Sequence, residues 1–168
     1  EARPFVVLYR VPEPRPGLDT SVQAERMLVR YPDHPHNAEA LVVDRRGELY
    51  IVSKEKHAPS TLFALGPFQA GEVTARAVAS RAFEGGGRGG EKVTGGDISP
   101  DGRWLALRTY PWIWLFPVQA ELPGALLGDP CVIVPPVEEQ GESIGFTANG
   151  LVIVSEGRGS PLQELQLQ

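Results

Sequence analysis

One cysteine, Cys131, is all that the 168-residue chain contains. An intrachain disulfide and a cysteine-based metal centre are therefore excluded. Cys131 opens the apolar run Cys-Val-Ile-Val, where a small buried hydrophobe is the expectation. No apolar run approaches the roughly 18 residues of a membrane-spanning helix. Basic residues are in the minority, with 16 Lys+Arg against 21 Asp+Glu and a formal net charge of −5. They form no stripe, so no nucleic-acid footprint is expected. Helical periodicity is almost missing, because the few stretches with a 3.6-residue pattern are short and carry proline or glycine. Neither an initiator methionine nor a signal-peptide pattern stands at Glu1, which predicts either a processed chain or a fragment of a longer one.

Turn residues and strand formers are plentiful. The chain has 19 glycines and 16 prolines, with hydrophobic residues at 42% and charged residues at 22%. Those proportions suit one globular domain built from many turns. Runs of β-branched and aromatic residues bounded by turn residues recur along its whole length.

Three of these runs superpose. "EALVVDRRGELYIVSK" begins at Glu39, "TGGDISPDGRWLALRT" at Thr94 and "ESIGFTANGLVIVSE" at Glu142. Gly47, Gly102 and Gly150 fall at the same distance from those starts, after Arg-Arg, Pro-Asp and Ala-Asn, as suits a tight hairpin that needs a positive φ. A third strand follows each hairpin: "TLFALG" from 61, "WIWLFPV" from 112 and "LQELQLQ" from 162. Fourth strands follow twice, as "VTARAVASRA" from 73 and "CVIVPP" from 131, and the chain opens with third- and fourth-strand equivalents, "FVVLYRVPEP" and "AERMLVRYP". Four-stranded antiparallel units repeating at about fifty residues are the signature of a β-propeller. A β-sandwich would explain the strand richness but not the aligned glycines.

The expected fold is therefore all-β, an incomplete propeller. It comprises an outer half-blade over 1–36, blades over 37–84 and 91–136, and a blade over 141–168 that lacks its outer strand. That is about three to three and a half blades of a ring of about five or six. The unfinished phase predicts that a missing N-terminal propeller segment, or a neighbouring copy, completes the ring, so an oligomer or complex is expected.

Several short motifs suggest chemistry. "GESIG" at 141–145 matches a nucleophile elbow, but that chemistry needs a strand-to-helix turn, and Ser143 lies within a strand. "SKEK" at 53–56 lacks the helix and the companion motifs of a Ser-x-x-Lys enzyme. "EGGGRGGEK" at 84–92 has neither the Gly-Lys-[Ser/Thr] ending nor the following helix of a phosphate loop, and is expected to be a flexible connector between blades. No covalent nucleophile is predicted. "DHPHNAE" at 33–39 is dense in imidazoles and carboxylates, and His34, His36 and Glu39 are candidate metal ligands.

A positional signal is more physical. Glu39 and Glu142 begin the innermost strands of two blades, and Thr94 begins a third. Charged residues recur where the second strands end, as Lys54, Arg108 and Glu156. These six residues would rim the mouth of a central channel and could hold a ligand, or calcium as a possible cofactor.

"YRVPEP", "PHNAEALVVDRRGELYIVSKE", "VTGGDISPDGRWLALRTY" and "GESIGFTANGLVIVSEG" together resemble an uncharacterised family of bacterial propeller proteins, distantly similar to esterase-like phytase propellers. The resemblance covers nearly the whole chain and implies an extracytoplasmic protein, secreted or periplasmic. The family's upstream Asn-Asp-Ser-Gly and Gly-Asp-Ile-Gly-Asp-Asn motifs are missing, so the chain resembles the C-terminal majority of such a protein. Glu39 and Glu142 fall on the family's recurring acidic position. A binding or scaffold module is the leading expectation. The alternative is a calcium-assisted hydrolase of phosphate or carboxylic esters acting at the channel mouth, since fold alone does not fix function.

Overall fold

A computed structural model describes residues 2–17, 19, 21–85, 87 and 89–167. Gly86 and Arg88 of the glycine-rich connector, and Gln168 of the last strand segment, lie outside the described residues.

Among the described residues the fold is all-β, with four sheets and one short helix. The first sheet holds β1 (Phe5–Arg10), β2 (Glu25–Arg30) and β6 (Gly71–Thr74). The second runs β3 (Ala38–Val43), β4 (Glu48–Ser53), β5 (Ser60–Pro67) and β7 (Arg76–Arg81), in that spatial order. The third runs β8 (Val93–Ile98), β9 (Trp104–Thr109), β10 (Ile113–Pro117) and β11 (Cys131–Ile133). The fourth holds β12 (Gly141–Phe146), β13 (Gly150–Ser155) and β14 (Leu162–Gln166). The second and third sheets are four-stranded antiparallel meanders.

The three aligned segments form the antiparallel pairs β3–β4, β8–β9 and β12–β13. Gly47 and Gly102 close their turns with φ of 80° and 72°. Gly150 differs. Its φ is not positive, because Ala148 and Asn149 alone make the turn and Thr147 N–H donates to the Gly150 carbonyl at 2.9 Å. Glycine is needed there for another reason: a Cβ would overlap the backbone carbonyl oxygen of Leu165 on β14.

The sheets stack face to face, and the middle strands read as almost continuous apolar runs because both their faces are covered. Period-two alternation divides their side chains between adjacent cores. Tyr50, Val52 and Leu62 face the third sheet together with Leu105, Leu107, Trp114 and Phe116. Their neighbours Leu49, Ile51 and Phe63 face the first sheet, against Met27 and Val29. On the far side of the third sheet, Ala106, Ile113 and Leu115 meet Ile144, Leu151 and Ile153. Trp114 and Phe116 thus pack between neighbouring sheets as expected, with Trp114 edge-on to Phe83 at 5.2 Å. β3 lies beside β8, and β8 beside β12.

Three local readings are corrected. The segment from 73 is not one fourth strand. It breaks at buried Ala75, whose N–H bonds Arg30 O at 2.8 Å, so that β6 pairs in parallel with β2 while β7 alone completes the second sheet. Cys131 is exposed, because β11 is a short outermost strand. The connection between β10 and β11 contains a helix, α1 (Leu122–Leu127), which buries Leu122, Ala125 and Leu126. Among the described residues no helix is long and apolar enough to cross a membrane.

Candidate functional site

Each of the three aligned hairpins carries the same irregularity. Pairing jumps from Ala38 to Ala40, from Val93 to Gly95 and from Gly141 to Ser143. The skipped residues are Glu39, Thr94 and Glu142. A β-bulge re-aims the side chain of the extra residue, and such bulges concentrate next to functional sites. The second residues of β3, β8 and β12 are thereby released from the ladder at one end of the stacked sheets.

Glu39 and Glu142 converge on Lys54. The Lys54 ammonium donates to Glu39 Oε2 at 2.5 Å and lies 3.9 Å from Glu142 Oε2. It also sits over the Tyr110 ring, 4.8 Å from the centroid, and Lys92 approaches the same ring at 5.5 Å. Burial acts to lower the Lys54 pKa, but hydrogen bonds to Glu39 and Tyr110 and the charges of Glu39 and Glu142 outweigh it, leaving the group above its ordinary value. Gln140 ties the other side of the rim together. Its amide nitrogen donates to Glu142 Oε1, to Glu156 Oε2 at 2.8 Å and to the Tyr110 hydroxyl at 3.4 Å.

Thr94 and Arg108 do not reach this rim. The Thr94 hydroxyl is buried and donates to Gly141 O at 2.8 Å, bonding the third sheet to the fourth. Arg108 is fully buried beneath the cluster and pairs with Glu138, whose side chain is 2% exposed. Its guanidinium lies directly on Gly141, where a Cβ would collide with it. Burial lowers the Arg108 pKa, with Glu138 and Glu142 opposing that effect. Its Nε and Nη1 have no hydrogen-bond partner among the described residues. Arg108 is therefore a support for the rim.

Tyr110 takes the place that Arg108 was expected to hold. Ser53, Thr109 and Ser155 pair with Ala38, Val93 and Gly141 at the ends of the second strands, and the next residues are Lys54, Tyr110 and Glu156. Registering those three hydroxyl residues in the sequence would have found Tyr110. Gln140 and Glu138 carry no such signal, since they lie in the aperiodic connection before β12. Gly89 of the glycine-rich connector lies so close to the Tyr110 ring that any side chain there would clash.

A cleft of about 720 Å³ lies at the turn end of the third and fourth sheets, between Trp104 and Phe146. It gathers no set of charges comparable to the rim, where Glu39 and Glu142 from the bulges meet Lys54 from the end of β4.

The proposed metal ligands separate. Glu39 is committed to Lys54, whereas His34 and His36 lie together beside Asp33, with ligand atoms within 4.8 Å of one another. Compared with known proteins, the chain matches no family model and no curated protein.

Proposed function

We propose that the chain is part of a β-propeller whose rim of Glu39, Lys54, Tyr110, Gln140, Glu142 and Glu156 binds a small polar ligand, within an extracytoplasmic binding or scaffold module. The observation that carries this reading is the bulge repeated at Glu39, Thr94 and Glu142, which releases Glu39 and Glu142 from the ladder to meet Lys54 at one end of the sheets. The serial stacking of meander sheets with β3, β8 and β12 side by side supports the propeller. The resemblance to secreted and periplasmic propellers supports the location.

The free edge of β1 faces a groove of about 370 Å³ lined by β1 and by the apolar outer face of β3, where Leu41 is 42% exposed. In this reading inner strands from a separate segment, or from a neighbouring copy, fill that groove by edge pairing.

The calcium-dependent hydrolase reading is less favoured, because the Lys54 ammonium already sits between the two carboxylates that calcium would need, 2.5 Å from Glu39 and 3.9 Å from Glu142. Titration calorimetry with calcium on the purified chain separates the two. Binding is expected to be undetectable for the native rim and to emerge in Lys54→Ala, where Glu39 and Glu142 lose their ammonium partner. Thermal-shift screening with sugars, amino acids and dicarboxylates is expected to yield a stabilising ligand whose effect disappears in the Glu39→Gln, Glu142→Gln double variant. A ligand unaffected by that double variant, or calcium-dependent cleavage of p-nitrophenyl phosphate by the native chain, would overturn the proposal.

A further inference from the structure

The loop that leads into β3 holds a second site, independent of the rim. Pro32 and Pro35 stiffen it, and the backbone of His36 is pinned to Arg3 by two hydrogen bonds of 2.8 and 3.1 Å. The His36 ring is 6% exposed and packs edge-on against Tyr31 and Phe63, with centroids 4.9 and 5.0 Å away.

Hydrogen-bond accounting assigns the ring protons. His36 Nδ1 lies 2.9 Å from Glu55 Oε1, and His34 Nδ1 lies 3.1 Å from the Pro35 carbonyl oxygen. Both partners are acceptors, so both Nδ1 atoms carry hydrogen and donate. In neutral imidazoles each Nε2 is then a bare lone pair. Those two atoms face the two oxygens of one carboxylate, His36 Nε2 at 3.1 Å from Asp33 Oδ1 and His34 Nε2 at 3.6 Å from Asp33 Oδ2. The ring nitrogens and the carboxylate converge on one point, with ligand atoms within 4.8 Å of one another. A proton on His36 Nε2 would satisfy only the 3.1 Å contact, since the 3.6 Å from His34 Nε2 to Asp33 is too long for a hydrogen bond. One divalent ion would engage both ring nitrogens and the carboxylate at once, its charge balanced by Asp33 and Glu55.

We propose that Asp33, His34 and His36 bind a divalent first-row metal ion of the zinc class, with Glu55 orienting His36. Two imidazoles and a carboxylate suit zinc, nickel or copper and not the all-oxygen preferences of calcium or magnesium. A carboxylate on the remote nitrogen of a ligating histidine is the arrangement that fixes ring orientation and raises ligand basicity. The outer side is open, with the His34 and Asp33 side chains 67% and 49% exposed. That leaves an approach path, room for His34 to turn toward the ion, and a coordination position for water.

The test is zinc titration of the metal-free chain by calorimetry, with cobalt absorption as the spectroscopic readout and calcium as the control ion. One zinc per chain is expected, with visible cobalt bands and no calcium binding at this loop. His34→Gln and Asp33→Asn change exposed side chains and should weaken zinc at least about tenfold with unchanged circular dichroism. Glu55→Ala should weaken it by about 10- to 100-fold, and Glu55→Gln, which still accepts from Nδ1, should restore part of that loss. His57→Gln should bind as the parent does. Zinc affinity equal in the parent and His34→Gln, binding that follows His57, or histidine nitrogen resonances unmoved by zinc would each overturn the proposal.

Discussion

Replacing Glu138 with alanine would leave the Arg108 guanidinium charged, without its carboxylate and out of reach of water. The two side chains are 0% and 2% exposed. Removing one partner of such a pair costs about 3–5 kcal/mol, because the remaining charge keeps its desolvation penalty. The surroundings favour the upper part of that range. Nε and Nη1 of Arg108 already lack partners among the described residues, and burial already lowers its pKa. Glu138 also accepts from Gln163 Nε2 at 3.1 Å, so its loss loosens β14 as well. Only Glu142 remains to offset the exposed cost. A total stability of about 5–15 kcal/mol is ordinary for a domain, so a loss of this size is large and measurable.

Equilibrium urea unfolding of Glu138→Ala, Arg108→Met and the double variant checks the reasoning. The double variant buries neither charge and should be more stable than Glu138→Ala by at least about 2 kcal/mol. Glu138→Gln, which keeps an acceptor but loses the charge, should fall between parent and alanine variant. A Glu138→Ala cost under about 1 kcal/mol would mean that the guanidinium reaches water. A double variant no better than the single would show that packing, and not the orphaned charge, sets the loss. Either result refutes the account of Arg108 as a buried support.

Gly47→Ala should cost about 1–2 kcal/mol from its positive φ in open space, whereas Gly150→Ala should cost more and speed amide exchange across β14, because its Cβ meets a backbone carbonyl. Asp101 is held well below the usual carboxylate range by the Ser99 hydroxyl first, then by the Arg103 N–H and guanidinium. A depressed folded pKa gives stability that is present above the unfolded value of 3.8 and lost as pH falls below it. The urea midpoint of Asp101→Asn should therefore drop less than the parent's on acidification below about pH 4. Ser143 is exposed on β12 and its hydroxyl meets no base among the described residues, so Ser143→Ala should leave any ester hydrolysis by the chain unchanged, and lost activity in a folded variant would restore the nucleophile reading.

The hairpins were legible because their signals are local: a turn glycine directly after Arg, Asp or Asn, flanked by apolar runs. The deflection of β6 was not, since it depends on Arg30, distant in sequence, whose side chain pairs with Glu72 at 2.5 Å. The rim was half legible. Aligning Glu39, Thr94 and Glu142 found the bulged residues without revealing the bulge, and a bulge shifts the register of everything opposite it. Arg108 was placed at the mouth because the three turns differ in length, the last pairs being Val43 with Leu49, Ile98 with Leu105 and Phe146 with Leu151, so positions counted past the turn glycines do not correspond. The hydroxyl residues show the correct phase. Ser53 Oγ accepts from Thr61 N–H at 2.9 Å, Thr109 Oγ1 from Trp114 Nε1 at 3.2 Å and Ser155 Oγ from Gln140 N–H at 2.9 Å. The Ser53 and Ser155 hydroxyls thus replace a ladder partner where regular pairing stops, Thr109 holds the Trp114 indole instead, and the residue after each of the three is released to the rim. Thr94 fits the same logic from the other strand, since its short side chain turns inward to bond Gly141 while the longer Glu39 and Glu142 reach Lys54.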